Sequence, residues 1–360
     1  MKKALHRLAV SVSAFPVASR LIETAKSAIR HLLRELYHRV TSLKRSLAAC
    51  FVLLDDLKRR LAALESQVAA LQPTLSIATP SPASSGRLDR EGDEPTLARP
   101  VSQLCTQSQV DSEIYALWRE ALRLDGGYRR KYWEYVYILQ ALQSLGQIAA
   151  GKTGLGFGVG QEPLSAYLAA QGCHVVATDM QSGGGSAGKW AETGQHAASA
   201  DHLNVHGICP PGLFQRNVHF RVVDMNAMPE DLAGFDFVWS SCAMEHLGSL
   251  ERGMTFLRRS LSCLKPGGVA VHTTEFNVYS DDTTVDFGPT VLFRKKDIEA
   301  IRQEMVALGH AMAVNYHPGN GPLDFFVDFE PCGDPHLKYL VSGYVTTSFG
   351  IIIQKGRGIP

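Results

Sequence analysis

GKTGLGFGVGQEPLSAYLAAQGCHVVATDM, residues 151–180, is the stretch that decides the fold of this 360-residue chain. Its run of glycines after a short apolar segment predicts a strand that ends in a tight turn. The following residues predict a helix from about Pro163 to Gln171 and a second strand from His174 to Thr178. A strand, a glycine turn, a helix and a second strand in this order predict a parallel βαβ unit of an α/β domain.

Four residues of this stretch suit a nucleoside-containing ligand. Gly156, Gly158 and Gly160 have no Cβ atom, which lets the backbone approach a ligand closely. Asp179 follows the second strand, where a carboxylate can accept hydrogen bonds from both hydroxyls of a ribose. Glycines that only pack a helix against a sheet are the alternative, and the same unit would also suit NAD. The identity of the ligand therefore depends on the rest of the chain.

The third predicted strand ends in two residues that suit adenine. In HFRVVDMNAMP (219–229), the carboxylate of Asp224 can accept from the adenine amino group, and Met225 can cover the ring. The other predicted elements are helices EIYALWREAL (113–122) and YRRKYWEYVYILQALQSLG (128–146), a fourth strand FDFVWSSCAMEHL (235–247), a helix from Leu250 to Leu264, a sharp turn LKPGG (264–268), a fifth strand VAVHTTEF (269–276), a helix RKKDIEAIRQEMVALG (294–309) and two last strands, AMAVNY (311–316) and YVTTSFGIIIQK (344–355).

Residues 150–355 resemble class I S-adenosylmethionine (SAM)-dependent methyltransferases. The resemblance rests on GFGVG, VVATD, VVDMN, FDFVWSSCAMEHL and LKPGG, which occur in this order. It implies SAM as the cofactor and a Rossmann-like α/β fold, with a seven-stranded sheet whose last strand, about 344–354, is antiparallel. Short motifs after the fifth strand also resemble methyltransferases of bacterial surface-polysaccharide clusters. They imply that the acceptor is a hydroxyl of a glycan or glycolipid precursor.

The resemblance also implies a role for eight residues around the cofactor. Gly156, Gly158 and Gly160 would contact the methionine portion of the cofactor, and Asp179 would bind the ribose. Asp224 and Met225 would contact the adenine, and Ser240 and Ser241 would border the methyl-transfer centre.

The chain departs from the family pattern at two places. The family usually has an acid two residues before the first glycine of its turn, but Gly156 stands there, and Glu162 stands at the place of the last glycine. Our hypothesis is that Glu162 compensates by reaching the amino group of the cofactor. Some relatives that methylate quinone precursors bind a divalent ion through Glu-x-x-Glu-His, but here Cys242 replaces the first carboxylate and leaves Glu245 and His246. Because Mg²⁺ prefers oxygen ligands, we predict no metal.

Two histidines are candidates for the base that a hydroxyl acceptor requires. His246 follows the fourth strand and His272 lies in the fifth, near the carboxyl edge of the sheet, where ligands bind in open α/β folds. For His246 the alternative is a ring held by a backbone carbonyl at the start of a helix. For His272 it is a packed strand residue.

Two connections are candidates for acceptor binding. TTEFNVYSDDTT (273–284) contains Glu275 and Asn277, which are side chains of the type that hold sugar hydroxyls, although a solvated turn is an equal alternative. The connection 180–218 is longer than usual and predicts a lid or substrate wall, with contacts from Trp190, Gln195 and His196.

The region before the predicted methyltransferase domain (111–360) has a different character. Residues 1–72 predict a helical coiled coil for self-association, because apolar residues recur at steps of four and three from Leu36 to Leu71. A helix packed on its own domain is the alternative. Residues 73–110, rich in Pro, Ser and charge, predict a flexible linker. Residues 1–60 carry a net charge of +9, which suits peripheral contact with an anionic membrane or, alternatively, a solvated helix face.

Composition excludes several other classes of protein. The sequence contains no run of eighteen apolar residues, so we predict no membrane span. The seven cysteines are scattered, which favours a reducing, cytoplasmic location. The domain after residue 60 is net acidic, and its fourth strand lacks the Asn/Asp-Pro-Pro-aromatic run used on flipped bases, so nucleic acid is not expected.

Four alternative functions stay open. They are a small-metabolite O-methyltransferase, a protein methyltransferase, an NAD-dependent oxidoreductase and a coiled-coil assembly protein with a degenerate cofactor domain.

Overall fold

The computed structural model describes residues 92–180, 197, 199–330 and 332–357. The predicted coiled coil (1–72) lies outside the described residues, and so do the candidate wall residues Trp190, Gln195 and His196.

The described residues form one mixed nine-stranded sheet. Its strands are β1 (Ser102–Leu104), β2 (Thr153–Phe157), β3 (His174–Asp179), β4 (Val218–Val222), β5 (Phe235–Ser241), β6 (Leu264–Asn277), β7 (Val314–Asn315), β8 (Tyr339–Val341) and β9 (Tyr344–Gln354). Their order is β4-β3-β2-β5-β6-β9-β1-β7, and β8 also pairs with β9. The strands from β4 to β6 are parallel, and β9 is antiparallel to β6. The α/β fold and the antiparallel last strand are thus as predicted.

The predicted number of seven strands is wrong because two short strands pair with β9. Leu104 of β1 lies opposite Phe349, and Tyr339 of β8 lies opposite Thr346. The pairing of β1 with β9 joins segments that are distant in the sequence, and β8 is too short to show a hydrophobic period. No local pattern therefore predicts either pairing.

Seven α-helices lie within the described residues. They are α1 (Gln107–Val110), α2 (Glu113–Ala121), α3 (Arg130–Ser144), α4 (Leu164–Ala170), α5 (Pro211–Asn217), α6 (Leu250–Ser262) and α7 (Lys295–Ala307). Serine caps explain where two of them begin, because Ser112 accepts from the N–H of Tyr115 and Ser249 from that of Arg252. None of the described helices has the length and apolar character needed to cross a membrane.

Two predictions differ from the structure: the end of the predicted linker, residues 92–110, and the LKPGG turn. Residues 73–91 of the linker lie outside the described residues. Strand β1 and helix α1 lie within residues 73–110, where the buried Gln109 accepts from Gln103 Nε2 at 2.7 Å and from Trp133 Nε1 at 2.9 Å. The folded domain therefore begins before Asp111.

LKPGG is an irregular start of β6. Leu264 already pairs with Phe235 of β5, and the regular pairing of β6 with β5 resumes at Val269.

Helix α3 packs on β9 at a glycine that leaves room for an aromatic ring. A Cβ atom on Gly350 would lie 2.1 Å from Tyr137 Cε1. Tyr137 is buried and donates from its hydroxyl to the Val101 carbonyl at 2.6 Å, so its ring cannot retreat without losing this bond. We expect Gly350→Ala to lower the free energy of unfolding by about 1–3 kcal/mol in urea denaturation. Gly126→Ala is the matched control, because its nearest neighbour would lie 3.9 Å away. Equal loss in both variants would contradict this packing argument.

Candidate active site

A cavity of about 1160 Å³ opens at the carboxyl ends of β2, β3 and β5. Its walls come from the glycine turn, the ends of these strands, the start of α3 and the segment around β8. This is the edge of an open α/β sheet at which ligands bind. Its volume exceeds that of most small-ligand pockets, so it has room for a cofactor together with an acceptor.

The glycine turn and Asp179, the last residue of β3, meet at this cavity. Gly158 and Gly160 have φ angles of +57° and +51°, which L-residues rarely adopt. A Cβ on Gly158 would also lie 2.9 Å from the Ala243 Cβ. The N–H of Gly160 donates to Asp179 Oδ2 at 3.1 Å, so turn and acid form one unit. Gly156 does not line the cavity and is instead a packing residue, which corrects its predicted contact with the cofactor.

The two residues predicted for adenine lie in different positions. Met225 is buried and lines the cavity beside the glycine turn. Asp224 is exposed and is not part of the lining, and its carboxylate accepts from the N–H of Asn226 at 2.8 Å. A contact of Asp224 with adenine therefore stays a prediction.

The two serines at the end of β5 point to opposite faces of the sheet, as successive strand residues do. Ser241 lines the cavity, and its hydroxyl donates to Glu134 Oε2 at 3.0 Å. Ser240 is fully buried, with its hydroxyl 2.8 Å from His272 Nδ1. The prediction that Ser240 borders the methyl-transfer centre is therefore wrong.

The two candidate bases differ in access to the cavity. His272 is fully buried between Ser240 and Ser260, does not line the cavity, and has its pKa lowered to about 3 by burial. It is a packed strand residue, and its prediction as a base is wrong. His246 lines the cavity, and its Nδ1 lies 2.9 Å from the Pro289 carbonyl oxygen, to which it can only donate. Burial lowers its pKa, so that ring is neutral at pH 7.

The two residues of β6 that were predicted to bind the methyl acceptor, Glu275 and Asn277, also have different roles. Glu275 lines the cavity. Asn277 does not, because its amide donates to the Thr283 carbonyl at 3.0 Å and accepts from the N–H groups of Tyr279 and Ser280. Asn277 therefore shapes its loop, which corrects its predicted contact with an acceptor.

The start of α3 contributes a charged cluster that the sequence reasoning missed. Glu134 is fully buried and accepts from Lys131 Nζ and Cys242 Sγ, each at 3.0 Å. Burial opposes the charge of Glu134, but Lys131 and Arg130 hold the pKa of this carboxyl below its ordinary value. Arg130 Nη2 lies 2.5 Å from Glu275 Oε1. The available signal was an acid on the apolar face of a helix, with cations three and four residues before it.

Glu245 and Glu275 both line the cavity, and each has a buried carboxylate oxygen that accepts no hydrogen bond from the part of the chain that the structure describes. The other oxygen of Glu245 accepts from Thr274 Oγ1 at 3.2 Å, and that of Glu275 accepts from the Tyr339 hydroxyl at 2.9 Å. Burial and the neighbouring Glu134 carboxylate raise the pKa of Glu245 to about 7. Buried polar atoms in proteins are almost always paired, so the two oxygens point to a ligand that donates hydrogen bonds.

Within the described residues, two groups of side chains offer closely spaced donor atoms to a metal. One is Cys242, Glu245 and Glu275, and the other is Asp328, Cys332 and His336. In the first group, Arg130 already pairs with Glu275, and the Cys242 thiol donates to Glu134. In the second, the carboxylate of Asp328 lies 2.7 Å from His336 Nδ1. We assign neither group to a metal, and the expected absence of one stays a prediction.

A glycine turn joined to an acid at the carboxyl edge of the parallel strands of an α/β sheet defines a nucleoside-cofactor domain. The profile of the methyltransferase domain family matches residues 128–313, and the chain belongs to that family. It is a SAM-dependent methyltransferase.

Comparison with solved structures finds similar methyltransferases at low sequence identity. One is the magnesium protoporphyrin IX methyltransferase of Synechocystis PCC 6803 with bound S-adenosylhomocysteine (SAH), at 12% identity over 69% of this chain and 98% of that chain, with a TM-score of 0.38. Another is a SAM-dependent methyltransferase from Clostridium acetobutylicum, at 13% over 67% and 97%, with a TM-score of 0.35. A third is the CcbJ methyltransferase of Streptomyces caelestis, at 13% over 63% and 94%, also with a TM-score of 0.35. No curated protein sequence matches significantly.

The residues at the glycine-turn end of the cavity fit this cofactor. Gly158 and Gly160 leave the backbone open to close approach, Asp179 supplies a carboxylate for the ribose, and Met225 an apolar surface for the base. When bound, SAM supplies an electrophilic methyl carbon. Charged side chains from α3, the segment after β5 and β6 form another part of the cavity wall.

Proposed function

We propose that this enzyme transfers the methyl group of SAM to a hydroxyl of a glycan or glycolipid precursor. The observation that carries the proposal is the pair of unpartnered carboxylate oxygens of Glu245 and Glu275 on the cavity wall. Arg130 Nε is also buried, has no acceptor among the described residues, and offers a donor on the same wall. Sugar hydroxyls both donate and accept, so a polyhydroxyl ligand satisfies all three atoms.

Methylation of a hydroxyl requires an aligned acceptor and removal of its proton. Glu245 suits the second task, because one oxygen is held by Thr274 and the other accepts no hydrogen bond from the described residues. Its pKa of about 7 places a substantial fraction in the basic form at neutral pH. His246 is the alternative base, and its Nε2 lies 3.9 Å from Glu245 Oε1.

Two further features of the sequence belong to this proposal. Self-association through residues 1–72 and contact of the basic residues 1–60 with an anionic membrane would suit an enzyme that acts on membrane-linked glycan precursors.

A transfer assay with [methyl-³H]SAM tests the acceptor class. The panel contains sugar nucleotides, polyprenyl-linked oligosaccharides, hydroxylated small metabolites and peptides. We expect label in a sugar-containing acceptor, with an O-methyl resonance in the product by NMR. Transfer to a small metabolite alone would replace the glycan with the alternative acceptor class.

A further inference from the structure

Trp239 of β5 connects the two positions at which this chain departs from the family pattern in the glycine turn. A Cβ atom on Gly156 would lie 2.4 Å from Trp239 Cζ2, so the indole fills the space that an acidic side chain at position 156 would need. The same indole donates from Nε1 to Glu162 Oε1 at 2.6 Å. One indole therefore both fills the space beside Gly156 and donates to the carboxylate of Glu162.

Glu162 lies on the cavity wall in the same turn as Gly158 and Gly160. It is only 4% exposed, and the hydrogen bond from Trp239 does not cancel its charge. Of the groups that face it, Lys131 is paired with Glu134 at 3.0 Å, and the carboxylate of Asp179 repels it. Glu134 and the Tyr135 hydroxyl on α3 also act on it within the described residues.

We propose that Glu162, positioned by Trp239, binds the α-ammonium group of SAM in place of the acid that the family carries at position 156. The cation that faces Glu162 within the described residues, Lys131, is paired with Glu134, and the methionine portion of SAM carries a cation of its own. This assignment rests on SAM as the cofactor and is independent of the acceptor.

The proposal makes cofactor binding dependent on pH. Burial, with the charges of Asp179 and Glu134, raises the pKa of Glu162 to about 8, although Trp239 and Lys131 oppose this. The carboxyl is therefore mostly protonated at pH 7, and a bound ammonium group favours loss of that proton. Affinity for SAH, which keeps the ammonium group, should rise with pH up to about 8. One linked proton limits this rise to about tenfold per pH unit.

Calorimetric titration of the full chain with SAH tests the proposal. At pH 7, in buffers of different ionisation enthalpy, we expect nearly one proton to be released per SAH bound. Glu162→Gln keeps the shape and an acceptor for Trp239, and should abolish proton release and weaken SAH binding by about 10- to 100-fold. The matched ligand is 5′-methylthioadenosine, which lacks the amino-acid portion and should bind both proteins equally without proton release.

Other outcomes would overturn the proposal in distinguishable ways. Equal weakening of SAH and 5′-methylthioadenosine in Glu162→Gln would make Glu162 a structural residue. Unchanged proton release would assign the proton to another group. Trp239→Phe keeps a ring over Gly156 but removes the N–H donor, and should shift the pH dependence of SAH binding to higher pH. A wild-type chain that binds neither ligand would overturn the cofactor itself.

Discussion

Asp179→Ala is expected to lower the affinity for SAH by about 100-fold or more. The Asp179 carboxylate lies at the carboxyl end of β3 on the cavity wall, and it is held by the N–H groups of Gly160 at 3.1 Å and Met180 at 2.8 Å. Held in this way, it can accept from both ribose hydroxyls, and hydrogen bonds to a charged group contribute about 1.5–3 kcal/mol each. Isothermal titration calorimetry with SAH measures the loss, and NAD should give no heat with either protein.

Asp231→Ala is the matched control for this substitution. Asp231 is an exposed aspartate whose carboxylate pairs with Arg221 at 2.8 Å, away from the cavity lining. Its loss should leave SAH binding unchanged. Wild-type affinity in Asp179→Ala, or binding of NAD by the unmodified chain, would contradict the assignment of the ribose site.

Glu245→Gln is expected to lower kcat by about 100- to 10,000-fold, the range for loss of a general base. Glutamine keeps the shape and the hydrogen bond from Thr274, but it cannot take a proton. The pKa of Glu245 is raised to about 7, so its basic form accumulates as the pH rises through that value. In the unmodified enzyme kcat/KM should therefore rise with pH and level off above about 7, and this dependence should vanish in the variant. The assay uses the acceptor identified by radioactive methyl transfer.

His246→Asn separates the two candidate bases. His246 lies next to Glu245 in the chain, and its Nδ1 is directed at the Pro289 carbonyl. We expect His246→Asn to keep the pH dependence near 7 and to lose less activity than Glu245→Gln. The reverse result, with the pH dependence lost only in His246→Asn, would transfer the role of base to His246. SAH binding in both variants serves as the test that the cofactor site is intact.

The charged cluster shows why the acceptor wall was harder to predict than the cofactor turn. Three side chains of this wall come from separate elements: Arg130 from α3, Glu245 from the segment after β5 and Glu275 from β6. The sequence around each of them is ordinary. Their proximity depends on how α3 crosses the end of the sheet. The raised pKa of Glu245 results from burial beside Glu134, which no sequence period encodes.

The side-chain directions of the two serines of β5 also could not be predicted from the sequence. The sequence places Ser240 and Ser241 at the end of a strand but does not say which one faces the ligand, because both faces of this sheet are covered. Packing of α3 on one face and α6 on the other decides it, with Ser241 beside Glu134 and Ser240 beside His272.

The resemblance of the sequence motifs to the family implied the antiparallel last strand. The sequence by itself determined the α/β class, the order of the main strands along the chain and the unit of glycine turn and acid. These features depend on hydrophobic period and turn chemistry between residues close in the chain. Only the tertiary structure decided that β1 and β8 join the sheet, that His272 is sealed from the cavity and that Trp239 links Gly156 to Glu162. Those outcomes depend on contacts between distant segments and on exclusion of water, which a linear pattern does not contain.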